Sequence, residues 1–247
     1  MKLKCIACDS MARLVYFSAA LSPHIIDISM FMLGLHNQPA DLRSRLQSEV
    51  DQVEDGYDAI VLAYALCGKA TEGLMARSIP LVIPKAHDCI TLFLGSRKQY
   101  EEQHDQFPGT YWYALDYIER GLAYGSSLTL GATTTGIGND IQEVYEAYEK
   151  KYGKDNADYL MEVMGAWQSR YQRAVYIDMG IGDGENVATR AQADAARRNW
   201  RYERLTGDRK LIKQLLFGEW DYNFLIINPG QKIIMTFDEN VIGAQNI

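Results

Sequence analysis

The sequence predicts an α/β fold of two Rossmann-like parallel-sheet subdomains facing each other across a cleft, with an inserted helical segment. Three observations carry this. Apolar runs at residues 3–7, 57–64 and 80–84 have strand length, and each ends in a polar, turn-forming stretch. Helical patterns alternate with these runs, which is the grammar of βαβ units and a parallel sheet. The same alternation resumes at residues 174–227 after a stretch of different composition. The expected division is residues 1–107 for an N-terminal half, 108–171 for an aromatic and Gly-rich loop with a helical insert, and 172–247 for a C-terminal half.

Residues 3–7 read as the first strand, after which Asp9 or Ser10 can cap a helix over residues 11–17. Residues 24–30 read as a second strand that ends in the turn-like Gly34-Leu35-His36-Asn37. Pro39 suits the first turn of the next helix. Leu42, Leu46, Val50 and Val53 recur at helical spacing along one face of it. Residues 57–64 are uninterrupted and apolar, as a strand buried on both faces should be. Cys67 to Gly73 reads as a polar loop entering a short helix. Residues 80–84 form a fourth strand, and Ile90 to Leu94 an apolar helix.

Pro108-Gly109 starts a turn followed by the aromatics Tyr111, Trp112 and Tyr113. Gly121 to Gly138 reads as a long loop in which Gly131, Gly136 and Gly138 can hinge a lid. Residues 139–171 read as helical and carry Tyr145, Tyr148, Tyr159 and Trp167. Beyond them come a strand at 174–177, an Ala-rich helix at 184–200, a strand at 202–205, a helix through Leu211, Leu215 and Leu216, and a strand at 223–227.

The 247 residues carry a formal net charge of −7, which argues against duplex nucleic acid and anionic membrane surfaces as partners. No apolar run reaches the ~20 residues of a membrane helix, and no signal peptide is visible, so a cytoplasmic protein is expected. The four cysteines are widely spaced and do not form a disulfide framework.

Cys8, Cys67 and Cys89 each follow an expected strand at its C-terminal end, the edge where open α/β sheets bind ligands. Cys5, inside the first strand, reads as a small core residue. Thiolates are nucleophiles and soft metal ligands. Cys8, Cys67 and Cys89 are therefore the candidate metal ligands, with His87 as the leading imidazole and His36 as the other. Zinc accepts such a shell, and an iron–sulfur cluster takes thiolates with a fourth ligand. His87 beside Cys89 also allows a metal-free thiol enzyme acting on a small anionic substrate. Lys69 and Lys85 are candidate point charges for that anion. Tyr111 and Trp112 are candidate stacking surfaces for a flat ligand, set against the commoner role of aromatics in core packing.

Leu66-Cys67-Gly68, the run from Ile83 through His87-Asp88-Cys89 to Ser96, and Pro108-Gly109-Thr110-Tyr111-Trp112-Tyr113 resemble a prokaryotic family of methanogens and anaerobic bacteria. It is known as domain of unknown function sixteen thirty-eight. The resemblance spans the first strand to about Gln231. Members are similar to proteins found beside corrinoid-dependent methyltransferase genes. That implies a role in methyl transfer, with a corrinoid as cofactor and a corrinoid protein or methyltransferase as partner. No Asp-x-His-x-x-Gly corrinoid motif occurs in the chain. The leading expectation is a metal-binding protein, and whether it is an enzyme is left open. The alternatives are the thiol enzyme and a non-catalytic accessory that binds a corrinoid, a tetrapyrrole or a methyltransferase.

Overall fold

The computed structural model describes residues 1–123, 149–150, 153–154 and 171–247. The chain is a mixed α/β protein. Its main sheet has the order β2-β1-β3-β4-β8, built from β1 (Lys2–Cys8), β2 (Ile25–Phe31), β3 (Ala59–Ala63), β4 (Leu81–Pro84) and β8 (Phe224–Ile227). The first four strands run parallel. A second, fully parallel sheet has the order β5 (Thr110–Ala114), β6 (Arg173–Asp178), β7 (Arg201–Thr206). A hairpin of β9 (Gln231–Met235) and β10 (Ile242–Asn246) completes the strands of the described residues.

Five consecutive apolar residues make β3 a strand covered on both faces, and all five are buried. Cys5 sits at the centre of the sheet, opposite Ile28 and Val61 in the two flanking strands, as a core residue. Helix α1 (Ala12–Leu21) connects β1 to β2 on one side of β1, and α2 (Pro39–Asp51) carries the chain back to β3 on the other. Leu42, Leu46 and Val50 form the buried stripe of α2, while Val53 lies past its end. This reversal between β1 and β3 is the topological switch point, where doubly wound sheets open a crevice beyond the strand C-termini.

Three differences from the sequence reading have physical causes. No helix follows Cys67, because Cys67, Gly68 and Lys69 all adopt positive φ (48°, 63° and 74°), incompatible with a right-handed helix. Residues 110–114, read as a turn and aromatic cluster, form β5, paired in register with β6. Residues 224–227, assigned to the C-terminal half, instead lie antiparallel against β4, so the chain returns to the first sheet. Helix α7 (Lys210–Leu216) also packs there, against α1, β3 and β4.

Helices α3 (Cys89–Leu94) and α4 (Arg97–Gln106) link the first sheet to the second, α5 (Leu115–Ala123) follows β5, and α6 (Glu185–Arg198) packs on β6 and β7. One continuous apolar core runs through both sheets. Ala123 ends α5, so the long-loop reading fails at residues 121–123. The proposed hinge glycines 131, 136 and 138, and Tyr145, Tyr148, Tyr159 and Trp167, lie outside the described residues. No described helix is long and apolar enough to cross a membrane.

Candidate functional site

Cys8 is the last residue of β1, at the switch point, and is almost fully buried. Its Sγ lies 3.4 Å from His36 Nε2 and accepts a hydrogen bond from Ser10 Oγ at 3.1 Å. His36 arrives on a 3₁₀ turn over Leu33–Asn37 that follows β2. That turn is fastened to the end of β1, because the Asp9 carboxylate accepts from the Leu33 N–H at 2.7 Å. Burial lowers the His36 pKa to about 4, so the ring is neutral at pH 7 and available as a ligand.

Tyr64, one residue past β3, stacks on His36 with centroids 6.0 Å apart and planes 15° apart. It is 1% exposed, yet its hydroxyl has no hydrogen-bond partner among the described residues. A buried, unpaired hydroxyl costs on the order of 1–3 kcal/mol, and an ordered water or a bound group can supply its partner.

Cys67 is held by a left-handed turn closed by Ala70 N–H to the Cys67 carbonyl at 3.2 Å. Backbone bonds from Leu66 to Ala86 (2.9 Å) and from Cys67 to His87 (3.0 Å) bring this loop against the loop before Cys89. Cys89 begins α3, whose first turn is capped by Asp88, accepting from Ile90 N–H and Thr91 N–H at 3.0 and 3.3 Å.

Burial drives all the thiols toward the neutral form. Cys5 and Cys8 are pushed up to about 12, and Cys67 and Cys89 rise as well. A smaller upward push comes from neighbours: Cys8 acts on Cys67, while Asp88, Cys67 and Cys8 act on Cys89. The three candidate thiols thus occupy one electrostatic neighbourhood, and Tyr117 of α5 shares it. Among the described residues, no three His, Cys, Asp or Glu side chains are close enough to hold a metal ion as they stand.

The remaining candidates separate from this cluster. The His87 side chain is exposed and lines a surface cavity with Tyr100 and His104. His36, not His87, is the imidazole against a thiol. Lys69 is exposed, and its carbonyl accepts from Arg43. Lys85 Nζ donates to Asn240 Oδ1 at 3.1 Å. Tyr111 packs among Tyr113, Tyr171 and Trp200, and Trp112 is buried, so both serve the core of the second sheet.

Sequence reasoning missed Tyr64, Ser10 and a set of charges on α5. Tyr64 had a signal, since a hydroxyl ending an apolar strand needs a partner. Asp116, 6% exposed, accepts from the Arg13 N–H at 2.7 Å and from its guanidinium, and Arg120 approaches Asp9 at 3.6 Å. Burial raises the Asp116 pKa, and the Arg13 contacts oppose the rise. These pairs join α5 to the start of α1 and to the turn after β1, the Arg13–Asp116 contact crossing 103 residues with no local sequence pattern.

Fold and site together describe a doubly wound α/β protein with thiols and an imidazole at the switch point of its sheet. The chain belongs to the family described as "Protein of unknown function (DUF1638)", whose model matches residues 30–216. The match contains His36, Cys67 and Cys89 and begins after Cys8. No curated protein and no solved structure matches the chain.

Proposed function

We propose that Cys8, Cys67, Cys89 and His36 bind a soft metal, as zinc, iron or an iron–sulfur cluster, at the switch point of the main sheet. The observation that supports this most is the 3.4 Å approach of Cys8 Sγ to the neutral His36 Nε2, with two further thiols in electrostatic reach. Neutral imidazole and thiolate are the ligating forms, and a cation of this kind displaces the thiol protons that burial otherwise retains. Binding would draw Cys67 and Cys89 in toward the Cys8–His36 pair. The Tyr64 hydroxyl would then gain a partner among the groups on the metal.

The raised thiol pKa values favour this reading over the metal-free thiol enzyme, which needs a thiol lowered toward neutrality. Four free cysteines accord with a reducing, cytoplasmic setting. A place in corrinoid-dependent methyl transfer, with a corrinoid protein or methyltransferase as partner, extends the proposal on the family resemblance alone.

The test is metal analysis of anaerobically purified protein, wild type beside Cys67→Ser, Cys89→Ser, His36→Gln and Cys5→Ser. Near-stoichiometric zinc or iron is expected in the wild type and in Cys5→Ser, and a loss in the other three. Wild-type protein that stays metal-free after anaerobic loading with each metal would overturn the reading. Absorbance titration of the loaded protein with hydroxocobalamin tests the corrinoid extension separately.

A further inference from the structure

A cavity of about 430 Å³ lies between α3, α4 and the turn of the β9–β10 hairpin. Its volume lies within the usual range for small-molecule sites. Two buried residues line it, Thr91 of α3 and Val241 of the hairpin. The Thr91 hydroxyl has no hydrogen-bond partner among the described residues. Tyr100 and His104 of α4 stack on each other with centroids 6.1 Å apart, and both line the same space. The mouth carries four exposed carboxylates, Glu101, Asp105, Asp238 and Glu239, against one guanidinium, Arg97. That guanidinium is engaged with the Glu239 carbonyl.

We propose that this cavity is a second binding site, for a small organic ammonium ion. Like charges crowded around one mouth concentrate a negative potential there. A cation carrying apolar groups fits the rest: its charge meets the carboxylates, an N–H can reach the Thr91 hydroxyl, and its carbon skeleton covers Val241 and the Tyr100 ring. A free divalent metal fits poorly, because no three of these donors stand close enough to coordinate one. An anion would meet four carboxylates. The site is independent of the metal reading, although Tyr100 lies in the electrostatic neighbourhood of Asp88, the cap of α3.

Isothermal titration at low ionic strength with putrescine and with tetramethylammonium tests the proposal on the full chain. Binding of at least one probe is expected. The triple variant Glu101→Gln, Asp105→Asn, Glu239→Gln should weaken it roughly tenfold or more, since each exposed charge pair contributes modestly. Glu102→Gln, on the same helix but outside the cavity, should leave it unchanged. Unaltered thermal midpoints would show that the variants fold. No binding of either probe at millimolar concentration, equal binding by the triple variant, or displacement of the amine by micromolar magnesium would each overturn the assignment.

Discussion

His36 keeps its proton off because its ring is buried, and that gives the protein a pH signature. Its folded pKa of about 4 lies below the ordinary value of 6.5. The unfolded chain therefore takes up a proton first as pH falls. The contribution to stability is complete above about pH 6.5 and is lost between 6.5 and 4, amounting to at most about 3 kcal/mol. Denaturant midpoints measured from pH 7.5 to 4.5 should fall less steeply for His36→Gln than for the wild type. The thiols act at the other end. Cys8, with a folded value near 12 against an ordinary 9.0, favours the folded state below pH 9, and the benefit disappears as pH rises from 9 to 12. The same protonation makes the thiols slow nucleophiles. Metal-free native protein at pH 7.5 should show no thiol alkylated within minutes by iodoacetamide, whereas all four should react once unfolded. One fast thiol would restore the thiol-enzyme reading. At this scale the cysteines were legible from their places after apolar runs. Both candidate histidines were named, but which of them meets a thiol was not legible, because sequence adjacency of His87 and Cys89 says nothing about side-chain direction, and the Cys8–His36 contact crosses 28 residues.

The elements hold the site through their ends. Helix α3 begins at Cys89 under the Asp88 cap and stops at Gly95, which adopts φ +69°. A Cβ at residue 95 would stand 2.6 Å from the Asp208 side chain and 2.8 Å from its carbonyl, where the loop after β7 crosses α3. That loop is tied down by Asp208 N–H to the Phe93 carbonyl at 2.9 Å. Gly95→Ala should therefore destabilise the protein by about 2–3 kcal/mol, from the left-handed backbone and the overlap together. Urea melts measure this, and an unchanged midpoint would mean that the two loops do not meet. The strands most open to sequence reading were β3 and β4, whose unbroken apolar runs reflect burial on both faces, and β1, whose run is interrupted only by Lys4. Strand β5 was hidden by aromatics that read equally well as a core cluster. Strand β8 was visible as a strand, but its partner β4 lies 140 residues away, and pairing at that separation leaves no local trace. The β9–β10 hairpin was missed because Gln231 and Lys232 open it with polar residues and it pairs at the edge of the fold.

In the whole molecule, the sheet order decides where chemistry can be placed. Reversal of the winding between β1 and β3 separates the loops that follow them, and into that gap come Cys8, the His36 turn and Tyr64. None of the three is near the others in an unfolded chain. Helix α5, reaching across from the second sheet through Asp116 and Arg13, closes one side of the gap and brings Tyr117 to the thiols. A metal that uses donors from β1, from the turn after β2 and from the loops after β3 and β4 can bind the folded state alone. Mass action then converts affinity into stability, by about 2.7 kcal/mol when free metal is a hundredfold above its dissociation constant. Anaerobic zinc or ferrous iron should therefore raise the thermal midpoint of the wild type and of Cys5→Ser. It should do so much less for Cys67→Ser and for His36→Gln, which leave the sheet intact but remove a donor. A rise of equal size in all four proteins would place the metal elsewhere. No rise in any of them would leave the switch point without its proposed occupant.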